Sequence, residues 1–363
     1  VVCLPVRQRR SAQSSDRHTE RAILVPAVAG HPFAGNIGEM WTEEFLEYLK
    51  RSTLEESHFE EAIAFKQKHL PKRIYKYRSD NSFARENLTS STIWLASPDS
   101  YNDPYDCALR FSAPSMVSAF ERGLIDPFVA GYRLDIPADK IEEAKQSATP
   151  LQTLGQNVCG VGKPGANPKQ MAEFFTKMVP TYVESTVEVL QAMRTIMKIC
   201  SFSAVSDSIL MWSHYSTNHQ GFCIEYDLEK FDPGDAFLRN LYPVIYSRQL
   251  FDLTPWAEKL VTGKREELTT IFPLLGVLRK FEGWAYEQEW RYVLFQENPT
   301  PNRTRPMPLP SRVFLGAKAS PLTTKGLLTI CEEKNIAVSQ MRMSNDKYEL
   351  LAHPIKQSGT ADT

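Results

Sequence analysis

Two segments constrain this chain more than any others: residues 201–227 (SFSAVSDSILMWSHYSTNHQGFCIEYD) and residues 284–295 (WAYEQEWRYVLF). Each ends in a run of aromatic and aliphatic residues, GFCIEY and WRYVLF, that reads as a strand. Each also sets polar side chains beside that run: Trp212, His214, Tyr215 and His219 in the first, Glu287, Glu289 and Arg291 in the second. A chain with both segments builds a sheet and carries charged groups close to its buried surface.

Read as one strand, residues 286–295 put Glu287, Glu289, Arg291, Val293 and Phe295 on a single face. An exposed Glu–Arg face is common and contributes little. Val293 and Phe295 extend this face into apolar territory, however, and a buried carboxylate needs a partner, for which Arg291 stands nearest in sequence. In the first segment, residues 206–215 read as a helix capped by Ser206 or Asp207. Trp212, His214 and Tyr215 at its end suit core packing, or an aromatic wall that holds a flat ring. His214 and His219 do not share a helical face, and no third ligand stands at a telling spacing, so no metal site is expected.

Around these segments the chain mixes strands and helices without regular alternation. That predicts an α+β fold with a mixed or antiparallel sheet core and a helical insertion over about residues 115–198. The organisation expected is helices over 40–70, a main domain over 71–355 and a frayed tail over 356–363. Residues 1–39 read as a disordered extension, with Met40 as a candidate start. RIYKYR (73–78) alternates as a strand and ends on Lys76 and Arg78, and residues 98–107 (PDSYNDPYDC) form a loop by composition. Residues 258–281 read as mainly helical, broken at Pro273.

The formal net charge of -1 demands neither nucleic acid nor an acidic membrane as partner. No apolar run reaches the roughly 18 residues of a spanning helix. The six cysteines contain no CxxC pair, which argues for reduced thiols and a cytoplasmic protein rather than a zinc ribbon or disulfide scaffold. No Walker A, GxGxxG, HExxH or GxSxG motif occurs.

In order, the KYR strand (Lys76 to Arg78), residues 94–107, residues 201–227 and the WxYExEWR run (residues 284–291) resemble a bacterial family of unknown function, DUF2971, over about residues 70–350. A second, more distant resemblance is to ADP-ribosyltransferases. There a basic residue on an early strand, an aromatic middle segment and a late Glu-x-Glu strand surround a cleft in a split sheet. That resemblance implies NAD as the substrate, held by Arg78 or Lys76, with Tyr215, Trp212 and His214 around the nicotinamide. It implies Glu289 as the catalytic carboxylate, Glu287 as the residue that positions a macromolecular acceptor (protein or nucleic acid), and a toxin or phage-defence role. Two other readings stay open. One is a metal-dependent phosphodiester hydrolase using Asp103, Asp106, Glu287 and Glu289, with His214 as base. The other is a noncatalytic nucleotide- or protein-binding module.

Overall fold

Alternating apolar residues draw eight segments into one sheet. In chain order its strands are Arg73–Arg78 (β1), Met197–Ser203 (β2), Phe222–Asp227 (β3), Leu241–Pro243 (β4), Glu289–Phe295 (β5), Arg312–Leu315 (β6), Ala337–Met343 (β7) and Leu350–Pro354 (β8). The structure is a computed structural model that describes residues 37–356 apart from 53–56, 164, 166, 193–195, 263–270 and 296–302. Across the sheet the order is β8-β7-β6-β3-β1-β2-β5-β4. Neighbours run antiparallel except β6 and β7, which are parallel and joined by the helix Pro321–Glu333. The fold is therefore α+β around a mixed sheet.

Helices α1 (Ile37–Arg51), α2 (Phe59–Gln67) and α3 (Ser82–Thr89) come first. The insertion consists of α4 (Ala113–Tyr132), α5 (Ala138–Gln146), α6 (Pro150–Gln156) and α7 (Pro168–Ala192), which bury small cores of their own. Then α8 (Ile209–Tyr215) follows β2. Of the expected extension 1–39, residues 1–36 lie outside the described residues and α1 begins at Ile37. Of the expected tail, residues 357–363 also lie outside them. Among the described residues no helix is long and apolar enough to cross a membrane.

The two faces of the sheet are covered differently. On one, Ile74, Phe202, Ile224, Tyr226 and Trp290 pack with Ala84 and Leu88 of α3 and with Leu327 and Cys331. On the other, two apolar clusters stand apart. Tyr77, Cys223 and Phe314 gather against Met211 and Trp212 of α8. Met197, Ile199 and Val293 gather against Phe45, Leu46 and Leu49 of α1 and the helix Phe272–Val277. The polar site described below lies between these two clusters.

The expected helix 258–281 is two helices, Thr254–Val261 and Phe272–Val277, followed by a strand, Arg279–Phe281; residues 263–270 lie outside the described residues. Parallel pairing with Ile245–Ser247 draws RKF into extended form, a tertiary effect that local periodicity does not carry.

Lys66 staples α2 to the sheet edge. It is fully buried, donates at 2.8 Å to the carbonyls of Leu238, Arg239 and Leu241, and rests over the Tyr242 ring. Lys66→Met keeps the stem and removes the donors. It is expected to cost about 2–3 kcal/mol, read as a lower urea midpoint. An unchanged midpoint would contradict the staple.

Candidate functional site

The site begins where two strands part. β1 pairs with β3 at six positions but with β2 at one, Tyr75↔Ser203. Partners in a ladder share a face, so that pairing continues a rung across five strands: Arg312, Glu225, Tyr75, Ser203, Glu289. Past Tyr75, the Lys76 ammonium donates to the Ser201 carbonyl (2.6 Å) and the Tyr77 hydroxyl to the Val205 carbonyl (2.8 Å). A cavity of about 200 Å³ opens here, lined by these parted strands. Tyr101, Asn102 and Asp106 of the loop, Tyr215 of α8, and Lys280, Glu287 and Glu289 complete its wall.

Behind the cavity lies a buried charge cluster. Arg291 has no exposed surface. Its Nε donates to Glu289 Oε1 (2.8 Å), its Nη2 to both Asp106 oxygens (2.8 and 2.9 Å) and its Nη1 to the Val277 carbonyl (2.6 Å). Lys280 Nζ donates to Glu289 Oε2 (3.0 Å) and to Glu287 Oε2. The Tyr215 hydroxyl donates to Glu287 Oε1 (2.6 Å). Three carboxylates thus face two cations, and one negative charge stands in excess when all are ionised.

That excess separates the two glutamates. Burial raises the Glu287 carboxyl above its ordinary range and repulsion from Glu289 adds to this, only partly offset by Lys280 and Tyr215. Burial would raise Glu289 too, but Arg291 and Lys280 outweigh it and hold that carboxyl well below its ordinary range. Lys280 is likewise raised: burial opposes its charge, and Glu289 and Glu287 more than restore it. The Tyr101 hydroxyl is buried on the cavity wall without a hydrogen-bond partner, and burial raises it far above the usual phenol range.

The structure brings together some of the residues that the sequence singles out. Glu287, Glu289 and Tyr215 meet on the cavity. Glu287 does not reach it along a strand, as expected, because β5 starts at Glu289. Residues 282–287 wind as a 3₁₀ turn and Gln288 takes a left-handed backbone (φ 44°), which turns Glu287 back onto Lys280. Arg78 and Lys76 leave β1 on the opposite face from Tyr75 and Glu289, by strand alternation. Arg78 bonds Asn87 of α3 and does not line the cavity; Lys76 borders it only through the gap. Trp212 is fully buried, with its indole N–H on the Ser206 carbonyl, and is core rather than cavity wall. His214 lies on an exposed aromatic rim with Trp284 and Tyr286. The cap of α8 is Ser208, whose side chain accepts from Met211 N, not Ser206 or Asp207.

His219 belongs to a latch. Thr217, Asn218 and His219 all take positive φ (50°, 53°, 69°), a costly conformation for a β-branched threonine. The His219 carbonyl accepts from Lys318 N, and a Cβ on Gly316 would come within 2.2 Å of that oxygen. The latch therefore ties the end of α8 to the segment after β6.

Sequence reasoning missed Lys280, Tyr75 and Tyr101. Strand alternation at Tyr75↔Ser203 carries the signal for Tyr75; nothing in the run LRKFEG marks Lys280. Among the described residues no group of three His, Cys, Asp or Glu side chains is placed to hold a metal ion.

No curated protein and no solved structure matches this chain. The family described as "Protein of unknown function (DUF2971)" matches residues 211–292, from α8 through β3 to β5, which include Tyr215, Lys280, Glu287 and Glu289. Over that segment the chain is similar to the DUF2971 family, as its motifs suggest.

Proposed function

We propose that the protein cleaves NAD at the bond between nicotinamide and ribose and transfers the ADP-ribosyl group to a macromolecular acceptor. The observation that carries this reading is the pairing of Glu287 and Glu289 through one lysine on the wall of a cavity between parted strands. Two titratable groups pushed in opposite directions divide acid–base and electrostatic work between them. The lining of the cavity also suits the nicotinamide ring of the ligand. Tyr75, Tyr77, Tyr101 and Tyr215 supply aromatic faces, and the excess negative charge favours a flat cation such as the pyridinium ring.

The chemistry follows from that charge. As the C–N bond breaks, its electron pair goes to the ring nitrogen and neutral nicotinamide leaves. The positive charge moves to the sugar carbon, where ionised Glu289 stabilises it. The acceptor attacks that carbon and gives its proton to Glu287, whose raised carboxyl is a better base than an ordinary one. Tyr215 and Lys280 position Glu287. The role resembles the one the sequence suggests for Glu289, but Arg78 takes no part and Trp212 acts only through packing. A cytoplasmic site of action goes with the same proposal, as does an effector role in conflict with phage or rival cells.

The metal-dependent alternative finds less support. Asp106, Glu287 and Glu289 are already bonded to Lys280 and Arg291, and Asp103 accepts from the Trp284 indole (2.8 Å). Binding tests the proposal without turnover. Saturating NAD is expected to raise the melting temperature of Glu289→Gln by about 2 °C or more. A binding isotherm with no heat, together with no melting shift in wild type or variant, would remove NAD as the ligand.

A further inference from the structure

We infer that a second cleft, beside the first, binds a nucleoside 5′-phosphate. The cleft has a volume of about 370 Å³, within the roughly 300–1,000 Å³ span of small-ligand sites. The short strand Arg279–Phe281 is the partition. Its alternation sends Lys280 to the inner carboxylates and puts Arg279 and Phe281 on the other side. The bond-breaking step proposed above uses only residues of the inner cavity.

Its chemistry is that of a phosphate beside a flat ring. Arg248, Arg279 and Lys280 line it against one carboxylate, Asp103. Arg248 is paired with Glu282 and Lys280 is committed to the inner acids, so Arg279 is the cation with capacity to spare. Its Nε is buried without a hydrogen-bond partner, its Nη2 comes no closer than 3.7 Å to Glu43, and its guanidinium rests over the Phe251 ring. A guanidinium with unused donors is suited to a phosphate. Phe281 and Tyr105 line the same cleft, 52% and 65% exposed, and offer ring faces on which a flat group can stack. A nucleobase supplies that stack, and its 5′-phosphate reaches Arg279.

The two cavities share the Lys280 wall. Where the proposed function holds, the nucleotide is the adenylate half of the same NAD molecule; this identification, unlike the site itself, rests on that reading. A free nucleotide is the other source of the same chemistry.

Calorimetry with AMP and with adenosine tests it, on wild type, Arg279→Gln and Phe281→Ala, with melting curves to verify folding. Phe281 is exposed, so its variant keeps the test usable should Arg279→Gln unfold. AMP is expected to bind wild type more tightly than adenosine does. Each variant is expected to weaken AMP by about tenfold or more, and Arg279→Gln to erase the preference for AMP over adenosine. No AMP binding by wild type, or equal affinity in wild type and Phe281→Ala, would overturn the inference. Competition by NAD identifies the adenylate half, whereas Arg279-dependent AMP binding that NAD does not displace identifies a free-nucleotide site and removes the NAD reading alone. NAD cleavage that AMP does not inhibit, with Phe281→Ala unchanged in KM, removes the adenylate identification and leaves the proposed function standing.

Discussion

Replacing Glu289 by Gln is expected to lower nicotinamide release by about a hundredfold to a thousandfold, the usual effect of removing one preorganised charge from a site where charge develops. The substitution keeps the shape and leaves two carboxylates, Asp106 and Glu287, against Lys280 and Arg291, so the buried charge is balanced and the fold survives. The same change acts on its neighbour. Glu287 loses the like charge that helps to raise it, so its carboxyl moves down. Residual transfer by Glu289→Gln should therefore persist to lower pH than in wild type, because the base stays ionised further into acid. Glu287→Gln is expected to differ in kind: it slows transfer to the acceptor more than it slows release of nicotinamide. Equal release by wild type and Glu289→Gln would show that the carboxylate only holds Arg291 in place.

Arg291→Met is expected to cost about 3–5 kcal/mol of stability, the range for breaking a buried ion pair from one side. Arg291 joins β5, the loop at Asp106 and the end of the helix Phe272–Val277 through a single guanidinium. Among the described residues, its loss leaves Lys280 as the one cation beside both Glu289, at 3.0 Å, and Asp106, at 3.7 Å. Arg291→Lys should recover little, since one ammonium cannot span Glu289, Val277 and Asp106 together. The sign of the pH dependence follows from Glu289. Its carboxyl is lower in the folded than in the unfolded protein, so its contribution is present above the ordinary carboxylate range and is lost as pH falls below that range. Urea unfolding at neutral and acidic pH measures both effects. A loss under 1 kcal/mol in Arg291→Met at neutral pH would mean that the cluster is solvated and does not hold the fold.

The sequence allowed part of this arrangement to be read, for identifiable reasons. β1, β3 and the insertion follow from patterns that complete themselves locally: RIYKYR alternates, GFCIEY is a short run of strand-forming residues, and α4 to α7 show helical spacing over their own cores. Glu289 and Arg291 stand two residues apart on one strand, so their pairing was also legible. Glu287 does meet Glu289, through Lys280, but not along a shared strand face, because one left-handed residue, Gln288, ends the strand where alternation would continue it. Arg78 and Trp212 drew attention by residue type, but the face of a strand and the depth of a helix depend on what packs against them. Lys280 lay beyond reach of any local signal. Its strand exists only through pairing with Ile245–Ser247, distant in sequence.

The central claim is that two differently poised carboxylates act on a glycosidic carbon. Incubating the purified full chain with NAD and a chelator, and following nicotinamide release by chromatography, tests it most directly. Release by wild type, abolished or nearly so in folded Glu289→Gln, is the predicted result. No release by folded wild type at any NAD concentration, with or without a cell lysate to supply an acceptor, would contradict it.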